Sequence, residues 1–188
     1  MTTCRFCNAS LTNTLVDLGQ QPPSNSYLKT ADQDEQVYAL KAMVCDACHM
    51  VQLDTTVDPG KIFHGDYAYF SSFSASWVTH AKAYADEMIA KLGLDENSKV
   101  VEAASNDGYL LQHFLAAGVP VLGVEPSASV AAAAREKGVE TVEMFFNAVT
   151  ASDLKAQDHA ADLIAANNVL AHVPDINGFV AGFAALLK

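Results

Sequence analysis

Four cysteines and one short acidic turn are the residues of this chain best suited to chemistry. Cys4-Arg5-Phe6-Cys7 and Cys45-Asp46-Ala47-Cys48 are two C-x-x-C pairs, and the chain has no other cysteine. Each pair presents two thiolates from one tight turn, and two pairs complete a tetrahedral zinc site. With every position taken by sulfur and none left for substrate, that zinc is structural, a staple for a segment too small to fold alone. Cys45 to His49 also spells C-x-x-C-H, the pattern that attaches c-type haem. That reading leaves Cys4 and Cys7 idle, and Met1-Thr2-Thr3-Cys4 lacks the basic start and apolar run of an export signal.

The acidic turn lies in Lys99 to Phe114. Val100 and Val101 suit a parallel strand buried on both faces. Gly108 lets the backbone turn where a Cβ would clash, and Leu110, Leu111, Phe114 and Leu115 recur at helical spacing. A ligand is expected at the carboxyl end of this strand, above the helix N-terminus. Glu125 ends the next apolar run, Val119 to Val124, where nucleotide-binding α/β domains carry the acid that accepts ribose hydroxyls. Asp107 can equally cap the helix, and Glu102 can equally be a strand acid held by backbone donors.

The elements that position these groups read in order. Leu15 to Gly19 is a short strand ending in a turn, and Gln21 to Ser26 is a loop. Asp32 to Gln36 is solvated, and strands at Tyr38–Val44 and Met50–Leu53 flank the second cysteine pair. Phe63 to Ser74 is a loop dense in aromatics and hydroxyls, either bordering a site or packed as a linker. Trp77, Ala81, Tyr84, Met88 and Leu92 mark one face of a helix capped by Ser74 or Ser76 and ended near Gly93. Helix Val130–Lys137, strand Val139–Phe146, helix Ala151–Gln157, strand Ala161–Val169 and a helix from Ile176 to Leu187 follow. The alternation predicts an α/β fold, a Rossmann-like parallel sheet preceded by a small zinc-binding β-ribbon. The expected division is a zinc unit over 1–58, an aromatic loop and linking helix over 59–96, and a ligand-binding unit over 97–188.

At 188 residues and 51% hydrophobic composition the chain can bury one full core and a satellite, and it has no run long enough for a membrane span. The missing export signal predicts a reducing cytoplasm, so the cysteines are not expected to pair as disulfides. Asp and Glu outnumber Lys and Arg by 22 to 11, for a formal charge of -11, which argues against nucleic-acid and anionic-membrane partners. No G-x-G-x-x-G follows a strand, which disfavours an NAD-dependent dehydrogenase.

Taken together, several motifs resemble the class I S-adenosylmethionine-dependent methyltransferases, and more closely the deoxysugar C-methyltransferases that carry an N-terminal zinc-binding domain. The resemblance rests on the two C-x-x-C pairs, Asp66-Tyr67-Ala68-Tyr69-Phe70-Ser71-Ser72, Glu102 to Gly108, Gly123-Val124-Glu125-Pro126-Ser127, and Asn168 to Pro174, and runs over essentially the whole chain. Where the wider family has glycines after its first acid, Ala103 and Ala104 stand here.

The resemblance implies transfer of the sulfonium methyl of S-adenosylmethionine to a carbon of a nucleotide-linked keto-sugar. It implies a cofactor site from Glu102, Ala103, Ser105, Asn106, Asp107, Gly108, Glu125, Pro126, Phe146, Asn167 and Asn168. In it the Asn106-Asp107-Gly108 turn meets the amino-acid end, Glu125 the ribose and Phe146 the adenine. A tyrosine of the aromatic loop, Tyr69 in preference to Tyr67, assists enolisation. His172 is read as a strand-end residue. The four strands counted are fewer than the family's sheet contains. A shortened chain is therefore expected, with the general base beyond Lys188, weak or absent turnover, and an open sheet edge inviting self-association. The alternative is a non-catalytic zinc-stapled module that holds S-adenosylmethionine or another adenosine ligand.

Overall fold

The computed structural model describes residues 2–63 and 67–188; Met1 and the His64-Gly65-Asp66 part of the aromatic loop lie outside the described residues. Strands β1 (Asn13–Gln21), β2 (Tyr38–Val44) and β3 (Val51–Leu53) form an antiparallel sheet in that order. β1 is longer than the expected strand at Leu15. Gly19, at φ 69, lies within a register shift between Asp17 and Gln20, so it bends the strand and does not end it. All nine β1 residues are exposed, and the buried apolar groups of this unit are Cys4, Leu11, Met43 and Cys45. So small a core offsets little of the entropy of ordering the chain.

A one-turn helix α1 (Pro59–Ile62) and a 3-10 turn at Ser71–Phe73 lead into α2 (Ala75–Leu92). Ser74 caps α2 by accepting from the Trp77 amide at 3.3 Å, and Gly93 closes it in the left-handed region, as the spacing predicts. The remainder alternates: β4 (Val100–Ala103), α3 (Leu111–Ala116), β5 (Val121–Val124), α4 (Ala128–Glu136), β6 (Thr141–Val142), α5 (Ala148–Ala156), β7 (Leu163–Ala165) and α6 (Ile176–Leu186). The strands lie in the order β6-β5-β4-β7, all parallel.

Strand periodicity sorts the core into two layers. Val100 and Val121 face α2, α3 and α4, joining Ala81, Ala85, Leu111, Phe114 and Ala134. Val101, Ala103, Leu122 and Val124 face α5 and α6, joining Ala151, Leu154, Phe179 and Leu186.

Two strands are shorter than expected. The segment after Val142 leaves the sheet because Asn147 and Thr150 form a capping box for α5, with Thr150 Oγ1 also donating to the Phe145 carbonyl at 3.0 Å. That box also starts α5 three residues before the expected Ala151. Beyond Ala165 the chain turns away at Asn168, φ 54. Ahead of β7, Ala161 forms an isolated parallel bridge with Leu187, and among the described residues β6 and β7 remain the edge strands of this sheet. Among the described residues no helix is long and apolar enough to cross a membrane.

Candidate zinc knuckle and strand-end site

The two cysteine turns are built alike. The Asn8 and His49 amides donate to the carbonyls of Cys4 and Cys45 at 2.9 and 2.8 Å, and both residues are left-handed, φ 63 and 62. His49 therefore serves as the turn residue that Asn8 is in the first pair, which accounts for C-x-x-C-H without haem. The four sulfur atoms lie within 4.8 Å of one another, with Cys4–Cys48 and Cys7–Cys45 both 3.6 Å apart. Sulfurs about 2.3 Å from one tetrahedral zinc stand roughly 3.8 Å apart, so the donor set fits that ion. Gln52, buried, donates to Cys4 Sγ at 3.0 Å and accepts from the Arg5 amide at 2.8 Å, orienting a ligand from behind.

The same knuckle touches the α/β unit. Arg5 Nη1 donates to the Val173 carbonyl at 2.8 Å, and Asn177 Nδ2 to the Phe6 carbonyl at 2.9 Å. The loop between Cys4 and Cys7 thus rests on Val173, between β7 and α6, and on the first turn of α6.

At the carboxyl ends of β4 and β5 the turn Ser105 to Gly108 comes together with Glu102 and Glu125. Three of five consecutive residues are left-handed: Ala104 (φ 58), Asn106 (φ 51) and Gly108 (φ 73). Ala104 thus takes a conformation glycine adopts more readily, at a cost of about 1–3 kcal/mol that is typical of functional turns. Gly108 also needs its bareness, since a Cβ there would stand 3.1 Å from Val139 and 3.2 Å from Ala134. Glu125, 4% exposed, spans the turns: Oε2 accepts from the Asn106 amide at 3.0 Å and Oε1 from the Ser127 amide at 2.9 Å. Burial pushes its carboxyl pKa up, against those two donors.

Glu102 is fully buried and burial pushes its pKa up to about 8, with Tyr109 and Asn167 opposing. Asn167 Nδ2 donates to Oε1 at 3.3 Å. Asn168 is exposed, Pro126 half-buried, and Ala103 buried toward α5 and α6.

Among the described residues six buried side-chain polar atoms lack a partner, and four of them are here: Glu102 Oε2, Ser105 Oγ, Asp107 Oδ1 and Ser127 Oγ. Buried polar groups are ordinarily satisfied, so this cluster is the candidate place for a polar ligand. Ser105 also explains Gly123, where a Cβ would come 2.5 Å from its Oγ and 2.9 Å from Thr141 Oγ1. Gly123→Ala is expected to destabilise the domain by about 1–3 kcal/mol through overpacking, read as a lowered thermal midpoint.

The aromatic loop lies against this turn. Asn106 Nδ2 donates to the Tyr69 carbonyl at 3.0 Å and its Oδ1 accepts from the Ser71 amide at 2.8 Å, while Ser129 Oγ donates to the Tyr67 carbonyl at 3.2 Å. The Tyr69 side chain is half exposed; Tyr67 is half-buried, edge-on to Phe63, and burial raises its hydroxyl pKa, with Glu125 adding to the rise.

Asn106 and Asp107 therefore hold the loop as well as forming the turn, and Asp107 does not cap α3, which has no side-chain cap. Ser129, Ser71, Ser72 and Lys137 complete this arrangement; the sequence assigns them no such role because their partners are remote in the chain. Phe146, the ring expected against adenine, packs on Phe179 and Phe183 of α6, where a Cβ on Gly182 would come 2.8 Å from it. His172 sits on a 3-10 turn, edge-on to Phe63, not at a strand end.

Residues 4–63 match the family described as "Putative zinc binding domain", and residues 101–188 the family described as "Methyltransferase domain". The C-methyltransferase NovU of Streptomyces niveus is 31% identical over 186 residues, 98% of this chain and 44% of that protein. The chain thus spans less than half the length of this curated relative. Among solved structures, the glycopeptide N-methyltransferase MtfA aligns over 57% of this chain and 53% of its own, at 22% identity and a TM-score of 0.46. The magnesium protoporphyrin IX methyltransferase ChlM of Synechocystis, solved with bound SAM, aligns over 69% and 64%, at 18% identity and a TM-score of 0.46. On these matches the chain carries a zinc-binding domain over residues 4–63 ahead of a methyltransferase domain over residues 101–188.

Proposed function

We propose that the protein methylates a carbon of a nucleotide-linked keto-deoxysugar with S-adenosylmethionine, and that this chain is the zinc- and cofactor-binding portion. The observation that carries the reading is the group of four unpartnered buried polar atoms at the ends of β4 and β5. Their chemistry fits S-adenosylmethionine, which has an ammonium group and ribose hydroxyls to donate.

The residues that would hold it are the Ser105-Asn106-Asp107-Gly108 turn and Glu102 at the amino-acid end, with Asn167 and Asn168 beside them. Glu125 would accept from the ribose with lone pairs left over from its two backbone bonds, beside Pro126. When bound, the cofactor supplies an electrophilic methyl group. Carbon would become a nucleophile toward it once a general base, which the residues named here do not include, takes a proton next to a carbonyl. Tyr69, or Tyr67 beside it, would donate a hydrogen bond to the carbonyl oxygen as charge develops there.

The structural zinc, the 1–58, 59–96 and 97–188 division and a reducing, cytoplasmic location belong to the same proposal. The thiolate set supports the first and last of these, and the family matches at 4–63 and 101–188 support the division.

Trp77 is the only tryptophan and stacks on Tyr109, centroids 5.9 Å apart, next to the turn. Its emission is expected to change on adding S-adenosylhomocysteine and not on adding NAD; equal responses would remove the support.

A pH effect follows from Glu102. Its pKa is raised on folding, so its contribution to stability is full below the unfolded value near 4.5 and is lost as pH rises through about 8. Glu102→Gln is expected to flatten this dependence, gaining a few kcal/mol relative to wild type between pH 5 and 8. Thermal melts across that range measure it.

A further inference from the structure

Lys137 follows α4 and reads in the sequence as an ordinary helix-end lysine, a residue that usually offers its charge to the last carbonyls of its own helix. Here it does something else. Its Nζ donates to Ser72 Oγ at 2.6 Å, to the Asp107 carbonyl at 2.7 Å and to Asp107 Oδ2 at 3.0 Å. An ammonium group has three N–H donors, and three acceptors surround this one. No donor remains for a ligand, so Lys137 is not a phosphate or carboxylate clamp; its bonding is spent between the turn after β4 and the aromatic loop.

The loop depends on such bonds because packing hardly holds it. Tyr69 is 50% and Phe73 82% exposed, and Ser71 is the one buried residue of the 3-10 turn. What fixes its backbone is polar: Asn106 to Tyr69 and Ser71, Ser129 to Tyr67, and at Ser72 both the amide to Asp107 Oδ2 at 3.3 Å and the hydroxyl to Lys137. The Asp107 side chain is 3% exposed and that of Lys137 30%. A carboxylate buried to that degree requires a counter-charge, so removing the lysine frees Ser72 and leaves Asp107 uncompensated at once.

We propose that Lys137 is a positioning residue that latches the tyrosine loop to the turn after β4 and so sets where Tyr67 and Tyr69 stand over the substrate. The role of those tyrosines rests on the function proposed above; the latch itself is read without cofactor.

The test uses the zinc-loaded chain with Lys137→Met, Lys137→Arg, Ser72→Ala and the Lys137→Met/Ser72→Ala double variant. Chymotrypsin is applied under native conditions, and cleavage at Tyr69, Phe70 and Phe73 is followed by mass spectrometry. Lys137→Met is expected to speed cleavage about tenfold, equivalent to about 1.4 kcal/mol of local opening, and to weaken S-adenosylhomocysteine binding severalfold. Lys137→Arg, which keeps the charge and donors, should recover most of the protection and affinity. Adding Ser72→Ala to Lys137→Met should change little, since both break one contact.

Wild-type protection in Lys137→Met, or full additivity in the double variant, overturns the latch. Should Lys137→Met fail to fold, Ser72→Ala alone must speed cleavage, and unchanged protection there overturns the proposal as well. A wild-type chain that binds no S-adenosylhomocysteine counts against the proposed function, while the cleavage rates still decide the latch.

Discussion

Cys45→Ser is expected to empty the knuckle of metal and unfold the antiparallel sheet, while the parallel sheet keeps its own cooperative melt. The asymmetry follows from where apolar area is buried. Among the described residues the first unit has four buried hydrophobic residues, two of them cysteines of the knuckle, and an edge strand with no buried residue. The second has two complete layers on a four-stranded sheet. In small domains structural zinc contributes about 10–16 kcal/mol of apparent binding free energy, which is then folding free energy. Three thiolates cannot replace four, and chelating the wild type should have the same effect. Metal analysis should find close to one zinc per wild-type chain and much less in the variant. Amide signals of β1–β3 should collapse, and those of Val173 and Asn177 should shift as the Arg5 and Phe6 contacts are released. A metal-free chain with an intact antiparallel sheet would refute the staple.

Glu125→Ala should be the most damaging single change at the strand ends. Its two oxygens satisfy the amides of Asn106 and Ser127, and both amides become buried orphans when the carboxylate goes. Each orphaned group costs about 1–3 kcal/mol, and the Asn106 turn that also secures Tyr69 and Ser71 loses its anchor. S-adenosylhomocysteine affinity is expected to fall at least tenfold, with a clear drop in the thermal midpoint. Glu125→Gln keeps one acceptor oxygen and should lie between the two. Unchanged affinity in Glu125→Ala would show that the ribose is held elsewhere.

Much of this arrangement is local in the chain, and the local part was legible. Cysteine spacing, the Ser74 cap and Gly93 stop of α2, and the β4–turn–α3 succession each follow from residues a few positions apart. Strand lengths were less so. Val139–Phe146 and Ala161–Val169 read as full strands, but a capping box at Asn147 and a left-handed Asn168 withdraw the chain from the sheet earlier. Phe146 has the composition of a stacking residue, yet its place is decided by α6, over thirty positions away. The latch was invisible for the same reason: Lys137 and Ser72 are separated by 65 residues, Asn106 and Tyr69 by 37. Nothing in their neighbours' sequence announces the pairing; topology creates it. The conformational role of His49 likewise emerges only beside Asn8.

The most direct test of the central claim is a calorimetric titration of the zinc-loaded chain with S-adenosylhomocysteine, with NAD as control. Saturable binding of S-adenosylhomocysteine at one site per chain, lost in Glu125→Ala and absent with NAD, is the predicted result. No heat from a folded, zinc-loaded chain, or equal binding of NAD, would contradict the assignment of the β4 and β5 strand ends as an S-adenosylmethionine site.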